Sequence, residues 1–179
     1  MAIGAVSSVT DKPGLQEVED LFREHHELVY RTAYSILNSA ADAEDVVQSL
    51  FLRLVRRQVP PEVRTNVKGY FYRAAVNQSL DIIRSRRRYE LVAGVEHLDV
   101  PSGSADSQFA ERLHRQLEAA LAELSPETVH ILVLRYTHNY SDKQIAALLG
   151  VSRTAIAVRL LRARARLKKL MRDSLGEQS

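Results

Sequence analysis

The stretch from Ser141 to Met171, SDKQIAALLGVSRTAIAVRLLRARARLKKLM, leaves the chain little freedom in how it folds there. Ser141, with Gln144 three residues on, makes a capping box in which each side chain satisfies a free amide of a helix's first turn. Ile145, Leu148 and Leu149 give that short helix an apolar side, and Gly150 stands where a left-handed residue ends it. Ser152 caps a second, longer helix. There Ile156, Leu160, Ala163, Leu167 and Leu170 recur at steps of four, three, four and three, a stripe that has to be buried. Two helices joined by a short turn containing Gly are the layout of a helix-turn-helix.

Charge says what the second helix is for. Arg159, Arg162, Arg166 and Lys169 fall opposite the apolar stripe, and from Val151 to Met171 there are seven Lys or Arg residues and no acid. A soluble helix normally intersperses acids as i,i+4 partners, because unpaired like charges repel. A solvated basic face is the plain alternative. DNA phosphate supplies the missing counter-charge, so the N-terminal half of this helix is read as entering a major groove, with Ser152, Arg153, Thr154, Ala157, Val158, Arg159, Arg162 and Arg166 as contacts.

The rest of the chain bounds the class. There is no Cys, which excludes disulfides and thiolate metal sites. No apolar run approaches 18 residues and no signal-peptide pattern is present, so a soluble, cytoplasmic protein without membrane insertion is expected. The net charge of +3 is small, and local clustering says more than the total. Few alternating strand-like runs occur, which favours an all-α fold.

Taken in order, residues 1–14 read as a disordered tail. From Leu15 to Leu37, Val18, Leu21, Phe22, Leu28, Val29, Ile36 and Leu37 follow a helical period, broken at Asn38 to Ala41. Asp42 reads as the N-cap of the next helix, with Glu44 and Asp45 in its first turn. Val46, Val47, Leu50, Phe51, Leu54 and Val55 form its buried side, and Pro60-Pro61 ends it. Helix-start carboxylates explain the acids better than a metal site does.

Val67 to Arg88 is the second informative stretch. Arg73, Asn77, Asp81, Arg84 and Arg88 step by four, four, three and four, which at about 100° per residue confines them to less than a quarter of the helix circumference. A solvated stripe is again the alternative. Yet Asn is a poor helix former, and Asn among arginines both reads base edges and binds phosphate. Tyr70, Phe71 and Tyr72 lie just upstream, and unpaired bases stack on aromatics beside basic groups. At least one of the three is expected in the core.

Tyr89 to Gln108 loses the helical pattern, and residues 91–108 read as a flexible linker between helical units at 15–90 and 109–175. A helix resumes from Phe109 to Leu124, with Leu113, Leu117, Ala120, Leu121 and Leu124 on one side. Ser125-Pro126-Glu127 is a cap followed by Pro at the first helical position, and Thr128 to Tyr136 is apolar enough to be the core of the second unit.

The order of these blocks resembles a bacterial RNA polymerase sigma factor of the extracytoplasmic-function group. The matching residues are Asp42 to Gln48 with Phe51 to Leu54, then Tyr72 to Ala75 with Asn77, Asp81 and Arg84. The third block runs from Leu124 to Glu127 through Ile145-Ala146, Leu149 to Ser152 and Arg162 to Arg164. The resemblance implies two small helical domains, a region 2 bundle and a region 4 helix-turn-helix, joined by a flexible linker. It implies that Asp42, Glu44, Asp45, Gln48, Phe51 and Leu54 dock on the clamp helices of RNA polymerase core, with region 4 at the flap. It further implies that Arg64, Asn66, Lys68, Tyr70, Phe71, Arg73, Asn77, Asp81, Arg84 and Arg88 recognise and melt the minus-ten element of promoter DNA. The helix-turn-helix would read the minus-thirty-five element as duplex, and an anti-sigma factor or other inhibitory partner is implied as well. Ala157 and Val158 depart from the basic residue and serine common in the family, which leaves a thymine methyl or DNA shape to be read there. Ser49 and Val55 replace an acid and an aromatic.

Two other readings stand beside this one. A helix-turn-helix repressor or activator would use its first domain to dimerise or sense a ligand, and would need a large apolar exposed face. An enzyme would need a site, but the six histidines show no metal spacing, no phosphate-binding Gly loop exists, and His25-His26-Glu27 reads as helix surface. No catalysis, metal or cofactor is expected.

Overall fold

The computed structural model describes residues 15–56, 63, 65–94 and 105–176. Among these the chain forms seven α-helices and no strand: α1 (Leu15–Leu37), α2 (Ala40–Arg56), α3 (Val67–Ala93), α4 (Ala105–Glu123), α5 (Pro126–Tyr136), α6 (Asp142–Leu149) and α7 (Arg153–Gly176). The expected tail at 1–14, the helix stop at Pro60-Pro61, Arg64 and linker residues 95–104 lie outside the described residues.

Val29, Ala33 and Ile36 on α1 are fully buried, and the chain reverses at Asn38, whose φ of 47° is a left-handed conformation that Asn tolerates. The reversal occupies only Asn38 and Ser39. Ser39, not Asp42, opens α2, its hydroxyl accepting from the Asp42 amide at 3.3 Å. Ala40 and Ala41 extend the helix N-terminally at no propensity cost. Ala43, Val46, Val47, Leu50, Phe51 and Leu54 are buried, whereas Val55, expected inside, turns past the seam and is 45% exposed.

The long helix α3 is the mast of the molecule. Asn66 caps it, its side-chain oxygen accepting from the Gly69 amide at 2.8 Å, and Gly94 ends it at φ 62°. It packs on α1 and α2 with one side and on α4, α5 and α6 with the other. Phe71, Tyr72, Ala75, Val76 and Leu80 are therefore all fully buried. The helix outruns its expected end because Tyr89, Leu91 and Val92 project into solvent, at 73, 78 and 89% exposure. No apolar period marks such a segment, and no Gly or Pro stops it before Gly94.

In the second unit the caps stand as the sequence implies. Ser125 accepts from the Thr128 amide, Pro126 takes the first turn of α5, and the Ser141–Gln144 capping box and left-handed Gly150 (φ 71°) bracket α6. α6 and α7 are bent by 106° to each other. Ile145 and Ile156 are fully buried and Leu160 and Ala163 nearly so, each large side chain contributing about 1.5–3 kcal/mol to holding that angle. Leu167 and Leu170 are half-buried against the same core.

The two units do not stand apart. Tyr72 of α3, kept protonated by burial, donates to the His130 carbonyl of α5 at 2.5 Å. Arg84 donates from Nε to the Ala122 carbonyl at 3.0 Å and from Nη2 to that of Leu124 at 2.9 Å. Arg87 reaches the Ala119 carbonyl and Glu123, and Thr32 of α1 meets His138 Nε2 at 2.9 Å.

Candidate nucleic-acid interface

On α7 the Ser152 hydroxyl accepts from the Ala155 amide at 3.1 Å, which fixes the helix start. Ser152, Arg153, Thr154, Ala157, Val158, Arg159, Arg162 and Arg166 are all exposed, so none of the expected set is spent in the core. Arg153, Arg159, Arg162 and Arg166 form no ion pair among the described residues. Only Arg164, on the flank, is occupied, lying 5.6 Å from the Tyr136 ring centroid and bonding its hydroxyl. Leu161, 69% exposed beside Val158, was absent from the expected set. The signal was available: Leu161 follows Leu160 and cannot share its buried face, so an apolar residue had to be left outside, where it suits a thymine methyl.

The α3 strip is more divided. Asn77, Asp81 and Arg88 are exposed and Arg73 is half-buried. Arg73, Asn77 and Asp81 line a hollow of about 350 Å³ together with Arg53, Tyr70 and Gln78. That lies at the small end of ligand-sized cavities, with polar and cationic walls and one aromatic edge. Arg53 and Gln78, joined at 3.3 Å, were not expected there, because they lie on two helices and only packing unites them. Lys68 is exposed and sits 5.4 Å from the Tyr140 ring centroid. Asn66 is spent on its cap and on the Leu148 carbonyl, to which Nδ2 donates at 3.0 Å. A Cβ on Gly69 would stand 2.6–2.7 Å from the Asn66 side chain, so only Gly permits this cap.

Phe71 does not join the surface. It is fully buried, stacked on Phe51 at 5.0 Å and on His25 at 5.1 Å, and corrects the expectation that it meets a base. Of the aromatic trio only Tyr70, half-buried and edge-on to Phe71 at 5.6 Å, remains within reach of a ligand. His25 likewise is core rather than helix surface, and burial lowers its pKa despite Glu24.

On α2, Glu44, Asp45 and Gln48 are exposed, but Phe51 and Leu54 are 6 and 2% exposed and hold the bundle together instead of touching a partner. Leu52 and Val55, 50 and 45% exposed, are the apolar groups α2 offers to solvent, and Phe22 of α1, 42% exposed, packs edge-on to Phe51. Asp42 is only partly available, because Arg86 binds its carboxylate at 2.5 Å and with that bond holds its pKa below the usual range. No single helix among the described residues is long and apolar enough to cross a membrane.

Residues 21–89 match the profile of Sigma-70 region 2, and residues 114–167 that of Sigma-70, region 4. The chain is 33% identical to the ECF RNA polymerase sigma factor SigE of Mycolicibacterium smegmatis over 94% of its own length, spanning 65% of that relative. It is 29% identical to the RNA polymerase sigma factor CarQ of Myxococcus xanthus, covering 89% of this chain and 92% of that one. With the ECF RNA polymerase sigma factor SigL of Mycobacterium tuberculosis it shares 31% identity over 78% of this chain and 80% of the relative. The sigma factor RpoE of Bartonella quintana, solved in complex with the anti-sigma factor NepR, has the same fold at a TM-score of 0.52, with 23% identity over 88% of this chain and 98% of that one.

Proposed function

The chain belongs to the extracytoplasmic-function group of sigma-70 RNA polymerase sigma factors, and from that premise we propose how its surfaces share the work of promoter-specific transcription initiation. Residues 15–90 act as the region 2 domain. The exposed side of α2, through Glu44, Asp45 and Gln48 with Leu52 and Val55, docks on the polymerase core. The hollow beside Tyr70 and Asn77 receives an unpaired minus-ten base. Flipping a base out of the stack costs a few kcal/mol, which a ring to stack on and polar groups for its edge offset. Residues 109–175 act as region 4, with α7 in the major groove of the minus-thirty-five element. Linking the two contacts through one chain raises the effective concentration of the second once the first is made. The protein works by binding alone, without a catalytic step, in the cytoplasm. Since the RpoE relative is solved with an anti-sigma factor, an inhibitory partner of that kind is proposed here too.

The observation that carries this reading is the exposed face of α7, acid-free from Arg153 to Met171, behind a capped helix-turn-helix, on a chain whose other half presents a base-sized hollow. Run-off transcription with purified polymerase core on a genomic promoter library tests it. Transcripts that need the added chain are expected. A stable dimer on a sizing column that ignores the core points instead to an ordinary helix-turn-helix regulator.

A further inference from the structure

The contacts between the two units use groups that the minus-ten surface needs for DNA. Arg84 gives its guanidinium to two carbonyls at the α4–α5 turn, and Asn66 gives one amide proton to the Leu148 carbonyl at the end of α6. Arg73, Asn77 and Arg84 share a cleft of about 550 Å³ with Arg159 of α7, so groups assigned to two separate promoter elements face one another. In this closed form the strip is partly covered by the chain's own second half.

Two histidines sit in that seam. His130, 7% exposed, has its ring 5.8 Å from Tyr72 and a buried Nε2 with no hydrogen-bond partner. His138 stands edge-on to Tyr72 at 5.8 Å with Nε2 2.9 Å from Thr32 Oγ1. Thr32 has one hydroxyl proton and directs it to the Leu28 carbonyl at 2.7 Å. His138 must therefore hold its proton on Nε2, and a second proton would go to Nδ1.

We propose that this seam is a proton-sensitive latch, in which neutral His130 and His138 keep region 4 closed on region 2 and their protonation releases the α3 strip for DNA. The proposal rests on the strip's reading as a nucleic-acid surface and adds to it a means of control. The surroundings disfavour a charged ring on both sides of the seam. His130 faces Tyr72, Arg73, Asp81 and Arg84 of α3, Arg159 of α7 and Glu127 of its own helix. His138 faces Arg31, Glu24, Glu27 and His25 of α1, Lys68 and Tyr72 of α3, and Tyr140 of its own loop. Burial first, and then Arg73 for His130 and Arg31 and Lys68 for His138, lower each pKa to about 4, with Glu127 acting the other way on His130. His25 shares the hollow beside His138 but packs within region 2, so it is buried in the open form as well.

The sign follows from linkage. Once open, the two rings return toward the ordinary value near 6.5, so the open form binds more protons and acid favours it. From about pH 7.5 to about pH 5.5, each histidine changes the closed-to-open ratio by about tenfold, and the pair by about a hundredfold.

The chain has no Cys, so Glu17→Cys on α1 and Lys168→Cys on α7 give two unique spin-label positions, both exposed. The distance distribution is measured on the whole chain, without polymerase or DNA, across that pH range. An Arg84→Ala background is run in parallel to bring the open fraction into view. The expected result is a longer-distance population that grows about a hundredfold relative to the short one, about tenfold in H130Q or H138Q, and not at all in the double variant, with helicity retained. An unchanged distribution in both backgrounds overturns the latch, as does a pH response that survives in the single variants undiminished. A flat result leaves the transcription reading standing. A pH response in a chain that never supports transcription leaves the latch and removes that reading.

Discussion

The basic face of α7 and the polar strip of α3 carry similar residue types and are put together on different physical terms. α7 touches the protein along one stripe, Ile156, Leu160 and Ala163, and everything opposite that stripe is open to solvent with its charges unspent. α3 is packed on two sides, so only a narrow strip escapes, and Arg84 within it, like Asn66 at the helix's cap, has second employment in the fold. A helix at the edge of a domain shows its function in its charge pattern. A helix at the centre mixes function with support, and residue type alone does not separate the two.

The largest effect that tests this contrast is expected at Phe71. F71A should cost about 3–5 kcal/mol in urea unfolding, as an aromatic removed from a core does, while Arg88→Ala on the exposed strip should stay within about 0.5 kcal/mol. If F71A proved as stable as the parent yet failed to open promoters, Phe71 would return to the DNA surface. Arg84→Ala comes next. Losing two charge-assisted bonds to carbonyls should lower the stability of the isolated chain by about 1.5–3 kcal/mol, read by thermal unfolding without polymerase. Unaltered unfolding would mean that the seam bonds are weak and that α3 is freer than described.

Arg162→Ala should leave folding alone and weaken binding to minus-thirty-five duplex. The loss should be about 1–3 kcal/mol for a base contact, or a salt slope smaller by about one for a phosphate contact. Binding that ignores the substitution at every salt concentration would make the α7 face mere solvated surface. The smallest effect belongs to the Arg86–Asp42 pair, whose arginine is 47% exposed. Arg86→Ala should cost less than about 1 kcal/mol. Because the pair lowers the folded pKa of Asp42, that contribution is present above the ordinary aspartate value of about 3.9 and disappears as pH falls below it. A parent and variant whose stability difference is constant from neutral to strongly acidic pH would show that the carboxylate is not what Arg86 stabilises.

Much of this was legible beforehand because it was written locally. The Ser141–Gln144 box, Gly150, the Ser125-Pro126 start and the bounds of α1 depend on residues within a turn of one another, and the structure keeps them all. Ends without local punctuation were missed. Tyr89 to Ala93 stays helical while exposed, and Ser39 caps α2 in place of Asp42 because two alanines carry the helix backward. The hollow beside Tyr70 needed α2 and α3 brought together, which neither periodicity shows. Phe51 and Leu54 were read both as the buried side of α2 and, through the resemblance, as polymerase contacts, and Phe71 as a stacking ring because it adjoins basic groups; apolar character and spacing decide for the core at all three. The seam was invisible for the same reason that it matters: it is made by carbonyl groups, which every residue has, and by two histidines whose surroundings are set far away in sequence.

The amide of Asn66 has one end that never changes hands and one that does. Its oxygen stays on the Gly69 amide whichever way the second half of the molecule lies, so the side chain keeps its aim when Leu148 departs. What separation liberates is therefore a pre-pointed donor, immobilised in advance and costing almost no entropy to present to whatever arrives next.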